Sequence, residues 1–242
     1  MSAEVAEGAA PGDTLGAAIV RAMTSSIGAK VVMAVTGLGL VSFVVVHLLG
    51  NLAMYAGPSA TNTYADTLHH LGKGLWVLRS GIILAAGLHI WSAIRCTMLD
   101  RAARPVPYAS QKNRAASVAS RTMALTGLLF LAYLVLHLAQ FTFGWIDGAN
   151  KALVDPLVPG RADVYRMTVL GFQQPLFAGI YVVAQLLLGL HLSHGVSSLF
   201  QHLGLFGRRF SPALRGLGEL FAWTVALAFL SIPLAVLFGV VK

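Results

Sequence analysis

The chain reads as an all-α membrane protein, a bundle of five transmembrane helices with an internal two-helix repeat. Three features lead there. Hydrophobic residues fill 57% of the 242 positions and charged residues only 11%. Five apolar stretches are each long enough to cross a hydrocarbon layer of about 30 Å, which takes roughly 20 helical residues. The stretch Met33 to Leu48, MAVTGLGLVSFVVVHL, also returns ninety residues later as MALTGLLFLAYLVLHL, from Met123 to Leu138, with eight of sixteen positions identical.

The helices are expected near residues 31–55, 77–99, 120–144, 173–200 and 217–240. The first opens after Lys30 and ends near Tyr55, the second carries its charge at Arg79 and Arg95, and the third opens near Arg121 and closes before Trp145. Pro175 marks the start of the fourth, where a proline suits the first helical turn. The fifth carries Glu219 near its start, the only acidic residue within the apolar segments. The intervening segments are short and rich in Gly, Pro and charge, so residues 1–242 are expected to form a single membrane domain. The first 25 residues lack the basic-then-apolar order of a signal peptide. The lone Cys96 excludes an internal disulfide, a zinc-type cysteine cluster and a C-x-x-C-H haem attachment.

A net charge of +8 could point to nucleic acid, but its distribution follows the membrane. Arg21, Lys30, Arg95, Arg101, Arg104, Lys112, Arg114, Arg121, Arg208, Arg209 and Arg215 fall on one side of the expected topology. These are eleven of the seventeen basic residues. Basic loops remain cytoplasmic, which places the N-terminus inside and the C-terminus outside. The same basic face could also dock a cytoplasmic partner.

Four histidines lie inside the apolar helices, where an ionisable group is costly and signals function. His47 and His137 end the two repeat copies. His89 (in LAAGLHI) and His191 (in LLLGLHL) lie in the helices that follow. Alternating helix direction sorts them into an outer pair, His47 with His137, and an inner pair, His89 with His191. The expected separation of the two layers is about 5–15 Å at a rise of 1.5 Å per residue. Paired imidazoles from facing helices at one depth suit the axial ligation of a b-type haem, so two bis-histidine haems are expected. His194 shares a helical face with His191 and competes for the fourth ligand position. Gly37 and Gly127, ten residues before their own histidines, are expected to make room for porphyrin, with Gly81, Gly189 and Gly195 helping. Simple helix–helix contact is the alternative use of such glycines. No carboxylate or thiolate lies near these histidines within the helices, which disfavours zinc or non-haem iron.

The order SSIGAKVVMAVTG, HLLGN, NTYADTLHHLG, LHIWSAI and HLSHGVSSLFQHLGLFG resembles the cytochrome b558 family. This is the single-chain, five-helix anchor of bacterial succinate dehydrogenases and quinol:fumarate reductases. The resemblance runs from Ser25 to about Gly207. It implies a dihaem subunit of the bacterial cytoplasmic (inner) membrane that holds a flavoprotein and an iron–sulfur protein on its cytoplasmic face. Electrons would pass between the iron–sulfur subunit and a membrane quinone, menaquinone rather than ubiquinone. His47 and His137 would then serve the distal haem, and His89 and His191 the proximal one. The chain lacks a G-x-G-x-x-G motif and a soluble domain, so any dicarboxylate site belongs to a partner chain. Lipid and quinone are further expected partners, nucleic acid is not, and association of such complexes into higher oligomers is left open.

Candidate quinone residues are Tyr64, Asp66, His69 and His70, in the loop beyond the outer haem. Candidate contacts to haem propionates are Lys30, Arg79 and Arg121, near helix ends. Two alternatives stay open at this stage: a haem-b anchor of a hydrogenase or formate dehydrogenase, and a haem-free transporter or scaffold.

Overall fold

The computed structural model describes residues 14–103, 117–204 and 211–242. Among them the secondary structure is helical, with one isolated bridge between Val154 and Ala162. Five helices are long and apolar enough to cross a membrane: α2 (Ser26–Leu52), α4 (Lys73–Ala102), α5 (Val118–His137), α8 (Pro175–His202) and α9 (Ser211–Leu237). A 3-10 turn, Ala53–Ala56, extends α2, and a π turn, Leu138–Thr142, extends α5. With these extensions counted, their ends depart from the sequence expectation by up to six residues, most at the starts of α2 and α9.

The expected loops hold structure of their own. Ahead of α2 lies α1 (Leu15–Thr24), and Ser25 joins the two by capping α2 through the Gly28 N–H. Arg95 Nε of α4 donates to the Thr24 carbonyl at 3.1 Å, which ties this junction to the bundle. At the opposite end α3 (Pro58–His69), α6 (Gly148–Lys151) and α7 (Val164–Phe172) form a helical cover. The sequence reading of 57–72 and 145–172 as loops is therefore corrected. Gly57, at φ +93°, makes the turn into α3, and Pro58 occupies its first turn.

In the bundle α2 and α8 are central. Helix α8 packs on α9, α5 and α2, while α2 also packs on α4 and α9. Close approach of α8 and α9 depends on small residues: Ala222 is fully buried in a cluster with Leu188 and Leu192, and a Cβ at Gly189 would come within 2.8 Å of the Trp223 ring. Small side chains let helix backbones meet where lipid offers no hydrophobic drive for association. Helices α4 and α5 are the least enclosed and turn apolar side chains outward, among them Trp76, Leu84, Ile94, Leu128 and Val135. Such surface suits hydrocarbon, and the helices satisfy their own backbone groups as a bilayer requires.

A buried polar lock fixes the cover. Asn62 of α3 is 1% exposed and donates through Nδ2 to Asp155 Oδ2 (2.8 Å) and Asp163 Oδ1 (3.1 Å). Its Oδ1 accepts the Tyr165 N–H at 2.9 Å. Arg161 donates twice to Asp155 Oδ2, at 3.0 and 2.7 Å, and once to Thr63 Oγ1 at 3.0 Å. Asp163 caps α7 by accepting the Arg166 N–H. Asn62, Asp155, Asp163 and Arg161 each make more than one of these bonds or carry charge, so burial leaves little of their polar capacity unused.

The Leu157 N–H, then the Asn62 amide and the Arg161 guanidinium, hold the Asp155 carboxyl down at about 2, against the opposing effect of burial. A carboxyl whose pKa falls on folding stabilises the protein above its ordinary value of 3.8, and that contribution disappears as pH drops through about 2. The thermal midpoint in detergent should therefore owe no pH dependence to Asp155 between pH 7 and 5. Its share should decline only below about pH 4, and Asp155→Asn should reduce the slope of that acid limb.

Candidate functional site

Antiparallel packing brings late residues of one helix beside early residues of the next. In this way His89 of α4 meets the start of α2. Its Nδ1 lies 3.2 Å from the Met33 carbonyl oxygen and 3.3 Å from Thr36 Oγ1, and its Cε1 would sit 3.3 Å from a Cβ at Gly37. His191 of α8 meets α5 in the same manner: its Nδ1 lies 3.4 Å from Thr126 Oγ1, and its Cε1 would sit 3.2 Å from a Cβ at Gly127. The two Thr-Gly dipeptides are matched positions of the sequence repeat. Each therefore seats the histidine of the following helix.

His47 and His137 come together near the cover. Their ring centroids are 5.9 Å apart with planes at 79°. Phe43 stacks on His47 at 5.4 Å and Phe229 lies at 5.9 Å, while Tyr133, Phe141 and Tyr181 surround His137. The Tyr181 hydroxyl is 3.2 Å from His137 Nδ1. Asn51 Nδ2 donates to the His47 carbonyl at 2.7 Å and lies 3.4 and 3.3 Å from its two ring nitrogens. Gln185 Nε2 donates to Tyr133 at 3.2 Å, one turn beyond Tyr181 along α8.

The four histidines thus occupy two levels. His89 lies beside residues 33–37 of α2, ten residues or more from His47, which is about 15 Å of helix rise. His89 and His191 are within electrostatic reach of each other, as are His47 and His137. His194 lies three residues beyond His191 on α8, about 4.5 Å further towards the α1 end. Among the described residues no three His, Cys, Asp or Glu side chains gather at one point.

The glycines divide between the histidines and the helix contacts. Gly37 and Gly127 face His89 and His191 rather than making room beside His47 and His137. Gly189 serves the α8–α9 contact at Trp223, which is the plain packing role. A Cβ at Gly81 or Gly195 would meet nothing within 4 Å, and Gly81 borders a shallow hollow between α2 and α4 with Gly39 and Leu40.

The remaining candidates are dispersed. The Tyr64 ring lies directly over Gly50, one turn from His47, where any side chain would collide with it. Asp66 and His70 pair with each other at 3.5 Å, and His69 and His70 are exposed at the end of α3. Arg79 stacks over Trp76 at 5.0 Å. Lys30 and Arg121 are exposed at the α1 end of the bundle, Lys30 within electrostatic reach of His202 and Cys96. The structure gathers the intrahelical histidines; it does not gather His69, His70, Lys30 and Arg121 around them. Sequence reasoning missed Asn51, Tyr133, Tyr181 and Gln185. It also missed Thr36 and Thr126, which the repeat had marked.

Compared with known proteins, the chain matches no family model, no curated protein and no solved structure.

Proposed function

We propose that the chain is the dihaem cytochrome b anchor of a succinate:quinone oxidoreductase. It would pass electrons between an iron–sulfur partner on the cytoplasmic face and a membrane quinone, menaquinone by the family resemblance. The observation that supports this reading is the approach of His47 to His137, with His89 and His191 placed at a second level, each against a Thr-Gly dipeptide of the repeat. Two imidazoles bonded to one metal at about 2 Å have ring centroids roughly 6 Å apart, and those of His47 and His137 are 5.9 Å apart. A pair of neutral imidazoles with no carboxylate beside it is a donor set for an iron whose equatorial positions porphyrin already fills. The residues present therefore fit the group.

In this reading His47 and His137 would hold the outer haem and His89 and His191 the inner one, with His191 preferred to His194 because it faces the Thr126–Gly127 dipeptide of the repeat. The haems supply one-electron steps between the iron–sulfur partner and the quinone. The protein's own share is to orient the imidazoles, to keep water from the aromatic enclosure around His137, and to place the two levels about 15 Å apart along α2. Tyr64 is the best placed of the candidate quinone residues, because it reaches α2 one turn beyond His47. The N-terminus and the basic loops face the cytoplasm of a bacterium, where the flavoprotein and iron–sulfur subunits dock.

Purification of the native complex through this chain tests the assignment. Co-purification of a flavoprotein and an iron–sulfur protein is expected, together with reduction of a b-type α-band by succinate. Reduction by hydrogen or formate, with succinate inert, would instead identify the anchor of another dehydrogenase.

A further inference from the structure

Resting on that reading, we infer that Thr36 and Thr126 are positioning residues of the inner pair, each fixing which ring nitrogen of its histidine carries the proton, and that His191 depends on its threonine more than His89 does. The inference begins with the threonine hydroxyl protons. Thr36 Oγ1 donates to the Val32 carbonyl at 2.7 Å, and Thr126 Oγ1 donates to the Thr122 carbonyl at 3.0 Å. With its proton committed to the helix backbone, each hydroxyl can only accept from the imidazole that faces it. The facing atom is Nδ1 in both cases, at 3.3 Å in His89 and 3.4 Å in His191. Nδ1 must therefore bear the hydrogen, and Nε2 keeps its lone pair for a metal. The adjacent glycine completes the socket: Gly37 and Gly127 leave room for Cε1, where a larger side chain would push the ring aside.

The sockets differ in one respect. His89 Nδ1 also has the Met33 carbonyl oxygen at 3.2 Å, whereas Thr126 supplies the acceptor for His191. A backbone carbonyl is a firm acceptor and survives any side-chain substitution. Loss of the Thr36 hydroxyl thus leaves His89 with its tautomer set, while loss of the Thr126 hydroxyl releases His191. Accepting a hydrogen bond from Nδ1–H also makes the ligand more basic, which favours the ferric state. Removing that acceptor should raise the potential of the inner haem.

The outer pair lacks the Thr-Gly dipeptide. Position 51, one turn beyond His47, is Asn, and its repeat counterpart is Phe141. There the contacts to the ring nitrogens come from Asn51 and from Tyr181.

The test is a spectroscopic redox titration of the intact complex carrying Thr126→Val, Thr36→Val, Thr126→Ser or Thr36→Ser. Valine keeps the volume and removes the hydroxyl, and serine restores the hydroxyl. The component lost in a His191→Ala complex identifies the inner haem. Thr126→Val is expected to raise the inner reduced-to-oxidised ratio at a fixed ambient potential by roughly twofold to tenfold, the worth of one hydrogen bond. Thr36→Val should give a smaller rise, and both serine variants should return to the starting value. Ser42→Ala removes a hydroxyl of α2 that bonds the Leu38 carbonyl, and it should change nothing. Loss of the inner haem in Thr126→Val with retention in Thr126→Ser supports the proposal equally. An unchanged inner potential in Thr126→Val, or failure of Thr126→Ser to restore it, overturns the proposal. A parent complex without haem overturns the underlying reading and the proposal together, which separates the two failures.

Discussion

With two haems bound as proposed, replacing His191 with alanine should halve the haem content of the purified protein, whereas replacing His194 with alanine should leave it unchanged. Both residues lie on one face of α8, three positions apart, and the sequence treats them as rivals. The structure separates them by their neighbours. His191 sits in the Thr126–Gly127 socket with its Nδ1 and Cε1 both engaged, within electrostatic reach of His89. His194 lies further towards the α1 end, between His191 and His202. An axial ligand without its partner cannot hold a bis-histidine haem, so His191→Ala should lose the inner haem and keep the outer one at His47 and His137. A pyridine haemochrome assay on matched preparations reads this directly. Two haems retained in His191→Ala, or one lost in His194→Ala, would reverse the choice of ligand.

Asn62→Ala should destabilise the protein by about 2–4 kcal/mol, the range for breaking a buried hydrogen-bond network. The wild-type amide makes two donations to carboxylates and accepts a backbone N–H, at 1% exposure. Its removal takes from Asp155 and Asp163 a shared donor and leaves the Tyr165 N–H without its acceptor inside the cover. Arg161 and the Arg166 N–H still serve the two carboxylates, which keeps the loss below that of a stranded ion pair. Unfolding in detergent by heat or denaturant measures the effect. Asp66→Ala, which removes only an exposed pairing with His70, should leave the midpoint in place. Because the cover rests on the turn after His47, through Met54 and the Tyr64 ring over Gly50, Asn62→Ala should also loosen the outer pair before the inner one.

How far these features were legible in the sequence depended on the physics behind each. The five spans were visible because a bilayer demands continuous apolar helix, and hydropathy measures that demand. Their ends were not, since helix α4 begins at Lys73 and α9 at Ser211, where polar residues continue the helix beyond the apolar stretch. The cover escaped for the same reason: α3 and α7 are held by Asn62, Asp155 and Asp163, and a buried polar lock has the composition of a solvated loop. The grouping of histidines into levels followed from helix direction alone. Which histidine each glycine adjoins was not legible, because sequence neighbours along a helix are not spatial ones. Ten residues of helix span about 15 Å, beyond the reach of a side chain. Gly37 cannot serve His47, but the antiparallel helix passing beside it delivers His89. The repeated Thr-Gly was thus a true signal with a different partner.

The most direct measurement is a redox titration of the haem absorbance in the purified native complex, combined with a haem count per chain. Two b-type haems per chain, titrating as two separate components, are expected from two histidine pairs at different depths with different hydrogen-bond partners. A preparation with no b-type absorbance, or with a single haem that survives loss of His47 or His137 and also loss of His89 or His191, would contradict it.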